Sequence, residues 1–457
     1  MSEIKLFTLG NATIVIEING KPVFCTDPWF ANGGSAYFGS WTLPVELASE
    51  SLAKIESCST AWISHPHPDH LCIDSLRQTS INKLLLAKHS GNRTASDLRG
   101  IGFEIVDLDP WKWYEIDKDL FILTAADINQ DSILLIKSGT TLVANINDAY
   151  PRYLKKKIRD IILASECKSR FLLKLFGFGD ANLINFYDEG MNFIDPGISK
   201  ERNLRESMIS FASSIGCNYA IPFSSFHTYQ RSDTCWANQY VADTFFKDEY
   251  ESLGIKVLPA FLEIDMKEGN YTPHGLCRRK QLIVRQPSDF GDDWNEKLTK
   301  EDKKLVTEYF EARKFVLDKI DLIQFQVGGE ETSICLNKNY QDRTITFHVP
   351  RNSLMTAINY EILDDLLISN IPKVQLKGFS NLYQCRIVPE VTKYCDNGRV
   401  KSKSEMADYK RYYREDAGLD WIKDELINKF AMRVRNSSLL RNKKVLAIAS
   451  KVYFSLK

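Results

Sequence analysis

The residues best suited to do chemistry are three histidines and an aspartate in the short stretch His65-Pro66-His67-Pro68-Asp69-His70. Three of the seven histidines of the chain fall within these six positions. A buried core histidine is normally solitary, because each imidazole needs its own hydrogen-bond partner, so the clustering indicates metal ligation. The two prolines disfavour helical geometry and stiffen the loop. The stretch therefore predicts a metal site whose ligands are held in place before a metal binds.

The elements around this stretch must position its side chains. It follows the apolar residues Ala61-Trp62-Ile63, and Thr60–Ser64 is predicted to be a strand. A helix is predicted over His70–Gln78. In a strand-loop-helix arrangement of this kind, the side chains near the helix start project back toward the end of the strand.

The rest of the first part alternates short strands with helices. Strands are predicted at Ala12–Ile18, Pro22–Thr26, Lys83–Ala87, Glu104–Leu108, Leu120–Thr124, Ser132–Lys137, Thr141–Ile146, Asp160–Ala164 and Asn218–Pro222. Helices are predicted at Ala48–Ile55, Thr94–Arg99, Pro151–Arg159, Ser199–Ile215 and Thr234–Tyr250. Antiparallel strands followed by strand-helix units predict a layered α/β sandwich.

The pattern His-x-His-x-Asp-His after a strand resembles the signature of the metallo-β-lactamase fold. Members of this fold hold one or two metals at the end of a four-layer αββα sandwich. Two further segments, Thr26–Phe30 and Phe38–Pro44, make the chain similar to the CMP-N-acetylneuraminate hydroxylase-like branch, here without the Rieske domain. The resemblance covers Ile4 to about Lys267, and more weakly the carboxy-terminal part.

This resemblance implies a set of site residues. His65 and His67 would hold the first metal, Asp69, His70 and His227 the second, and Asp148 would bridge both; Asp69 and His70 are also the catalytic candidates. The third ligand of the first metal is usually a histidine after the strand Leu120–Thr124. Here Asp127 aligns best, with Asp131 as the fallback. The expected supporting residues are Asp27, which would orient the ligating imidazoles, and Trp29, Phe38 and Trp41, which would line the substrate approach.

The expected donor set leaves two functions open. Sites with two histidines and one carboxylate suit iron(II) and oxygen activation, although zinc and manganese accept the same donors. The first hypothesis is a diiron oxygenase that hydroxylates a small biosynthetic substrate of the nucleotide-sugar or natural-product class. The second is a hydrolase that uses a metal-bound hydroxide to cleave a phosphodiester, ester, lactone or amide.

Length and pattern predict two domains. The chain has 457 residues, more than the roughly 250–300 over which single cores stop growing. We place a metal domain at residues 1–280 and a carboxy-terminal α+β domain of open role at 293–457. Helices are predicted in the latter at Glu301–Ile323, Ser353–Leu367 and Asp420–Ala449.

The composition of the chain limits the classes of molecule that the protein is expected to bind. The 59 basic residues balance 59 acidic ones, which argues against a dedicated nucleic-acid binder. No apolar run is long enough for a membrane span, and the start lacks the pattern of a signal peptide, so a cytoplasmic protein with a small-molecule substrate is expected. The ten cysteines include no Cys-x-His pair, the pattern of a Rieske cluster. A ferredoxin-type reductant is therefore expected, and an oligomer is possible.

Overall fold

The structure, a computed structural model, describes residues 2–177, 184–195, 204–243, 249–337, 342–379, 382, 394–423 and 425–426. The strands of the first part are β1 (Ile4–Leu9), β2 (Thr13–Ile18), β3 (Lys21–Thr26), β4 (Ser35–Ala36), β5 (Trp41–Thr42), β6 (Val45–Leu47), β7 (Thr60–Ile63), β8 (Lys83–Ala87), β9 (Glu104–Leu108), β10 (Tyr114–Asp117), β11 (Leu120–Ala126), β12 (Ser132–Ser138), β13 (Thr141–Asn147), β14 (Ser169–Lys174), β15 (Phe186–Tyr187), β16 (Tyr219–Pro222), β17 (Thr228–Tyr229), β18 (Tyr250–Ser252), β19 (Ile255–Val257), β20 (Leu262–Asp265), β21 (Tyr271–Pro273) and β22 (Cys277–Arg279). The helices of this part are α1 (Ser49–Ser57), α2 (Ile73–Leu76), α3 (Arg93–Gly100), α4 (Lys155–Ala164) and α5 (Leu204–Ile215).

Two large sheets form the centre of this part. Among the described residues, each has eight strands, in the orders β21-β20-β1-β2-β3-β7-β8-β9 and β10-β11-β12-β13-β14-β16-β19-β18. The strands β3, β7, β8 and β9 run parallel in the first sheet, as do β13, β14, β16 and β19 in the second. Carboxyl ends of parallel strands meet at one edge of a sheet, which is where ligand sites of α/β folds form.

Alternation along the strands separates the layers. Ile14 and Ile16 of β2 belong to a buried cluster that also contains Leu134 and Ile136 of the facing sheet, so they fill the space between the sheets. Val15, between them, belongs to the cluster that contains the helices. The helices α1 and α3 lie against β3 and β9 of the first sheet, and α5 lies against β16 and β19 of the second. The predicted αββα sandwich is confirmed.

The last part of the chain has its own core. It comprises α6 (Lys300–Glu311), β23 (Leu322–Val327), β24 (Glu330–Cys335), β25 (Thr344–His348), α7 (Arg351–Tyr360), α8 (Leu363–Ile368), β26 (Lys373–Lys377) and α9 (Lys403–Ala417). Its sheet has the order β15-β26-β25-β23-β24, so β15 joins it from much earlier in the chain. Buried Phe310, Phe325 and Phe347 lie in one cluster of this module. The boundary between residues 280 and 293 stays a prediction.

Some predicted elements are wrong. Asp160–Ala164 is not a strand but the second half of α4, because Ile158 and Ile162 lie one turn apart on its buried face. The predicted helix at Thr234–Tyr250 is only a 3-10 segment at Cys235–Tyr240, and Tyr250 already belongs to β18; residues 244–248 lie outside the described residues.

In the carboxy-terminal part, the helix predicted to reach Ile323 ends at Glu311, and β23 begins at Leu322. The helix predicted over Ser353–Leu367 is interrupted by Glu361, whose left-handed φ of 56° separates α7 from α8. Most of the helix predicted at Asp420–Ala449 lies outside the described residues. In the part of the chain that the structure describes, no helix is long and apolar enough to cross a membrane.

Candidate metal centre

The predicted ligands come from both sheets and meet at one edge of the sandwich. The loop with His65, His67, Asp69 and His70 leaves β7 of the first sheet. Asp148 follows β13 of the second sheet, and His227 lies in the loop after β16. Potential ligand atoms of His65, His70 and Asp148 lie within 4.8 Å of one another. Residues from both sheets therefore meet at this candidate site.

One nitrogen of each ring is occupied by a protein partner. Asp27 accepts hydrogen bonds through Oδ2 from the Ser64 hydroxyl at 2.6 Å and from Nδ1 of His70 at 2.9 Å. Because the Ser64 hydroxyl donates to this carboxylate, it accepts from Nδ1 of His65, 2.9 Å away. Nδ1 of each ring is thus held by a protein partner, so Nε2 is the atom through which each ring would bind a metal. The orienting role of Asp27 stays a prediction.

The other two histidines follow the same principle. Nδ1 of His227 donates to the carbonyl oxygen of Ser225 at 2.9 Å, which leaves Nε2 as its ligating atom. Nε2 of His67 lies 3.1 Å from Oδ2 of Asp364, while its Nδ1 lies 3.0 Å from Nε2 of His65. Two nitrogens at that separation can bind the same ion, since metal-nitrogen distances are about 2.0–2.1 Å.

The carboxylates are also held in place. Asp69 is buried, and its oxygens accept hydrogen bonds from the Tyr37 hydroxyl at 2.7 Å and from Nδ2 of Asn11 at 3.0 Å. Asn11 in turn accepts from the backbone N–H of Phe226, so it links Asp69 to the loop of His227. Asp148 accepts from the Ser225 hydroxyl at 3.2 Å through Oδ2.

Three buried atoms at this edge have no hydrogen-bond partner among the described residues: Nε2 of His70, Nε2 of His227 and Oδ1 of Asp148. Nε2 of His70 lies 3.5 Å from the Asp69 carboxylate and 3.7 Å from that of Asp148. Buried polar atoms without partners are costly and rare in folded proteins. Imidazole nitrogens and carboxylate oxygens are donors for zinc, iron and manganese, so these residues fit a metal.

Charge and burial set the protonation of the groups. Burial lowers the pKa of His70, but Asp69, Asp148 and Asp27 outweigh it and raise that pKa well above 6.5. Burial raises the pKa of Asp148, and the His70 and His67 imidazoles beside it bring that pKa below 3.8. Burial lowers the pKa of His227 to about 4. His227 is thus neutral at pH 7, the form that binds metals.

No family model matches the chain. It is 24% identical over 238 residues to a Mycobacterium tuberculosis protein whose name describes it as a Rieske 2Fe-2S iron-sulfur protein, covering 47% of this chain and 42% of that one. It is 26% identical over 131 residues to mouse cytidine monophosphate-N-acetylneuraminic acid hydroxylase, covering 27% and 22%. The chain therefore spans less than half the length of the curated relatives it matches.

Similar solved structures include a variant of the β-hydroxylase CmlA, with 12% identity, a TM-score of 0.31 and coverage of 48% of this chain and 45% of that one. Another is a metallo hydrolase from Ignicoccus hospitalis, with 14% identity, a TM-score of 0.27 and coverage of 48% and 82%. The chain itself has two eight-stranded sheets with helices packed against them, which is the αββα sandwich that the resemblance implies. We refer to residues 4–273, which carry the strands of the two large sheets, as the lactamase-like part.

Among the described residues, Asp127 and Asp131 belong to neither candidate ligand group. The Asp127 carboxylate accepts hydrogen bonds from the backbone N–H groups of Asn129 at 2.7 Å and Tyr150 at 3.3 Å, so it closes the turn after β11. Asp69 and His227 are also outside the groups whose ligand atoms lie within 4.8 Å of one another among the described residues. The assignment of Asp127 as third ligand, with Asp131 as the fallback, stays a prediction.

The motif loop differs from its expected form. The helix predicted from His70 to Gln78 is only the short α2, which begins at Ile73. The backbone N–H groups of His70 and Leu71 both donate to the carbonyl of His67, so His70 lies in a turn. A tight turn, not a helix, places Asp69 and His70 at the site.

The three aromatic residues predicted at the substrate approach lie in different places. Trp41 stacks on the His227 ring with a centroid distance of 3.6 Å, so it lies against the metal site. Trp29 is buried in the main core. Phe38 packs against the core of the carboxy-terminal module.

Sequence reasoning missed Tyr37, Asp364 and Asp365. Tyr37 lies beside the predicted aromatic segment, and its position next to Phe38 was the available signal. Asp364 and Asp365 form a second potential ligand group with His67. They lie almost 300 positions after it, on another module, and no sequence pattern connects them.

Proposed function

We propose that this chain is a metal-dependent oxygenase with a dinuclear iron centre, which hydroxylates a small substrate of the nucleotide-sugar or natural-product class. The donor set is the observation that carries this proposal. His65, His67, His70 and His227 supply the imidazoles, and the other donors are carboxylates. In the described residues, the two candidate ligand groups contain His65, His67 and His70, whereas His227 is included for its buried Nε2, which has no hydrogen-bond partner there.

The shortage of a third imidazole at the first metal favours iron over a histidine-rich hydrolytic zinc site. Sets of two histidines with carboxylates and open positions suit iron(II) and oxygen chemistry. Two curated relatives carry names from oxidative chemistry, a Rieske protein and a hydroxylase, which supports the same class.

Iron bound at this edge would supply oxygen activation. The side chains around the site would orient the ligating rings and shield them from water. Asp27 and Ser64 hold His70 and His65, and Trp41 covers the face of His227. Burial and the neighbouring Asp69 raise the pKa of Tyr37 well above 10, so its hydroxyl keeps its proton and donates to Asp69 at neutral pH.

Hydroxylation of a C–H bond inserts one atom of O2 into the substrate and reduces the other to water, which requires two electrons and two protons from outside the substrate. No Cys-x-His pair for a Rieske cluster occurs in this sequence. We propose a ferredoxin-type donor, because the Rieske relative supports an iron-sulfur source of electrons.

Oxygen consumption by the iron-loaded protein tests the proposal. The protein is prepared anaerobically, loaded with iron(II) and analysed for bound metal, and oxygen uptake is then followed with reduced ferredoxin. We expect about two iron ions per chain and uptake that is abolished in His67→Ala and Asp148→Ala, both of which should lose metal. Tightly held zinc, cleavage of a model phosphodiester and no oxygen uptake with iron would instead assign the hydrolase.

A further inference from the structure

The metal-site histidine His67 has a partner in the carboxy-terminal module. Asp364 lies in the first turn of α8, and its Oδ2 lies 3.1 Å from Nε2 of His67. The Asp364 side chain is 3% exposed and that of His67 15%, so the contact is largely shielded from solvent. Water therefore competes weakly for it, unlike for a surface ion pair.

The geometry points to the role of this contact. Asp364 engages Nε2 of His67, on the side of the ring opposite Nδ1, and Nδ1 lies 3.0 Å from Nε2 of His65. We propose that Asp364 is a positioning residue for the metal centre: it holds the Nε2–H form of His67, so that Nδ1 binds the first metal. The carboxy-terminal module would thereby complete a site on the lactamase-like part. This inference rests on the proposed metal centre, but not on its reaction.

The same arrangement occurs at the second metal. Asp27 accepts from Nδ1 of His70 at 2.9 Å and leaves Nε2 for the metal. Carboxylates that hold the distal nitrogen of a ligating imidazole fix its tautomer and raise its basicity. Asp27 comes from the lactamase-like part itself, whereas Asp364 comes from the other module.

Both ends of α8 are attached to the lactamase-like part, which fixes where Asp364 lies. Before α8, the buried Arg93 donates to the carbonyl of Tyr360 at 2.9 Å and pairs with Glu361 at 3.4 Å. After α8, the Ser40 hydroxyl donates to the carbonyl of Ser369 at 2.6 Å. Asn370 also donates to the Tyr229 hydroxyl at 2.9 Å, and Tyr229 packs edge-on against His227.

The Asp364 carboxylate is not explained by the module's own packing. Its Oδ1 is buried without a hydrogen-bond partner among the described residues, while its helix neighbours Leu363, Leu366 and Leu367 fill the apolar core. A buried carboxylate is costly unless it is paired. The hydrogen bond from Nε2 of His67 supplies the partner that stabilises this buried carboxylate.

Zinc binding under anaerobic conditions tests the inference, because it does not depend on oxygen chemistry. Affinities of both sites are measured by competition with a chromophoric chelator for the full chain and for Asp364→Asn, which keeps the size but removes the carboxylate. We expect one site to weaken about 10- to 100-fold, the typical cost of losing such a partner. The other site should change little. Asp364→Glu should recover part of the affinity.

The matched control is Asp321→Asn, another buried aspartate of the same module, which accepts from the backbone of Arg343. It should leave both affinities unchanged. Circular dichroism of the metal-free variants checks that each is folded. A histidine ¹⁵N spectrum of the zinc protein should show the His67 ring protonated at Nε2, and Asp364→Asn should alter that signal.

Wild-type affinity at both sites in folded Asp364→Asn would overturn the inference. So would complete loss of one ion, as expected for His67→Ala, because Asp364 would then be a ligand itself. Failure of the proposed oxygenase looks different: two zinc ions bind and respond to Asp364→Asn, yet the iron protein consumes no oxygen.

Discussion

At the scale of single residues, Asp27 is predicted to orient two of the predicted ligands, His70 directly and His65 through Ser64. Its carboxylate accepts from the Ser64 backbone and hydroxyl and from Nδ1 of His70. Asp27→Asn replaces one acceptor oxygen with a donor, so we expect metal affinity to fall about 10- to 100-fold while the fold persists. Chelator competition measures this. Asp74→Asn, an exposed aspartate that contacts Asn32, is the control; equal affinities in both variants would contradict the orienting role.

The buried histidine His89 is expected to make the free energy of unfolding depend on pH. Burial lowers its pKa to about 4, although nearby Asp396 and Asp107 partly oppose this. In an unfolded chain the pKa is about 6.5. Between pH 6.5 and 4 the unfolded state therefore binds more protons, and the free energy of unfolding falls as the pH falls.

His89→Asn removes this contribution. For the metal-free protein, we expect the loss of unfolding free energy between pH 7 and pH 5 to be smaller in the variant, by about 1–2 kcal/mol. Urea unfolding at both pH values measures it. Identical pH dependence in the variant would show that His89 is already accessible to protons in the folded state.

The residues of the site differ in how far the sequence could reveal them. His65, His67, Asp69 and His70 are adjacent in the chain, so their spacing alone indicates a metal site. Asp364 lies 297 positions from His67 and reaches it only through the docking of two modules. The ring nitrogen that each histidine offers also depends on partners that sequence does not show.

At the scale of elements, local chemistry predicts some boundaries and not others. Asn19-Gly20, with φ values of 51° and 76°, forms the predicted hairpin turn between β2 and β3. The apolar run Ile161–Ala164 could be a strand or a helix by pattern alone. Packing decides it, because Ile158 and Ile162 face the core together.

This choice is testable in α4. Ile162 is fully buried, whereas the adjacent Leu163 is 45% exposed. We expect Ile162→Ala to lower the free energy of unfolding by about 2–4 kcal/mol, and Leu163→Ala by about 0.5 kcal/mol or less. Urea unfolding compares them. Similar losses at both positions would indicate that the segment does not have the helical face described.

At the scale of the whole molecule, the four layers follow from alternation of strands and helices, and the sequence predicts them. The joining of the modules does not follow in this way. Two-residue β15 pairs with β26, which lies nearly 200 positions later, and such pairings leave no local pattern. The junction is instead built from buried polar contacts between segments distant in sequence.

Arg231 is central to this junction. Its guanidinium, with a side chain 0% exposed, donates to Asp292 at 2.7 Å and to the Phe38 carbonyl at 2.9 Å. Asp292 also accepts from the backbone and hydroxyl of Ser353 at the start of α7.

Arg231→Met would leave Asp292 as a buried charge without its cation, so we expect about 3–5 kcal/mol loss of unfolding free energy and faster proteolysis between the modules. The exposed pair of Arg279 and Asp243 supplies the control, because Arg279→Met should cost about 1 kcal/mol or less. Urea unfolding with limited proteolysis measures both, and equal effects would mean that the buried pair does not hold the modules together.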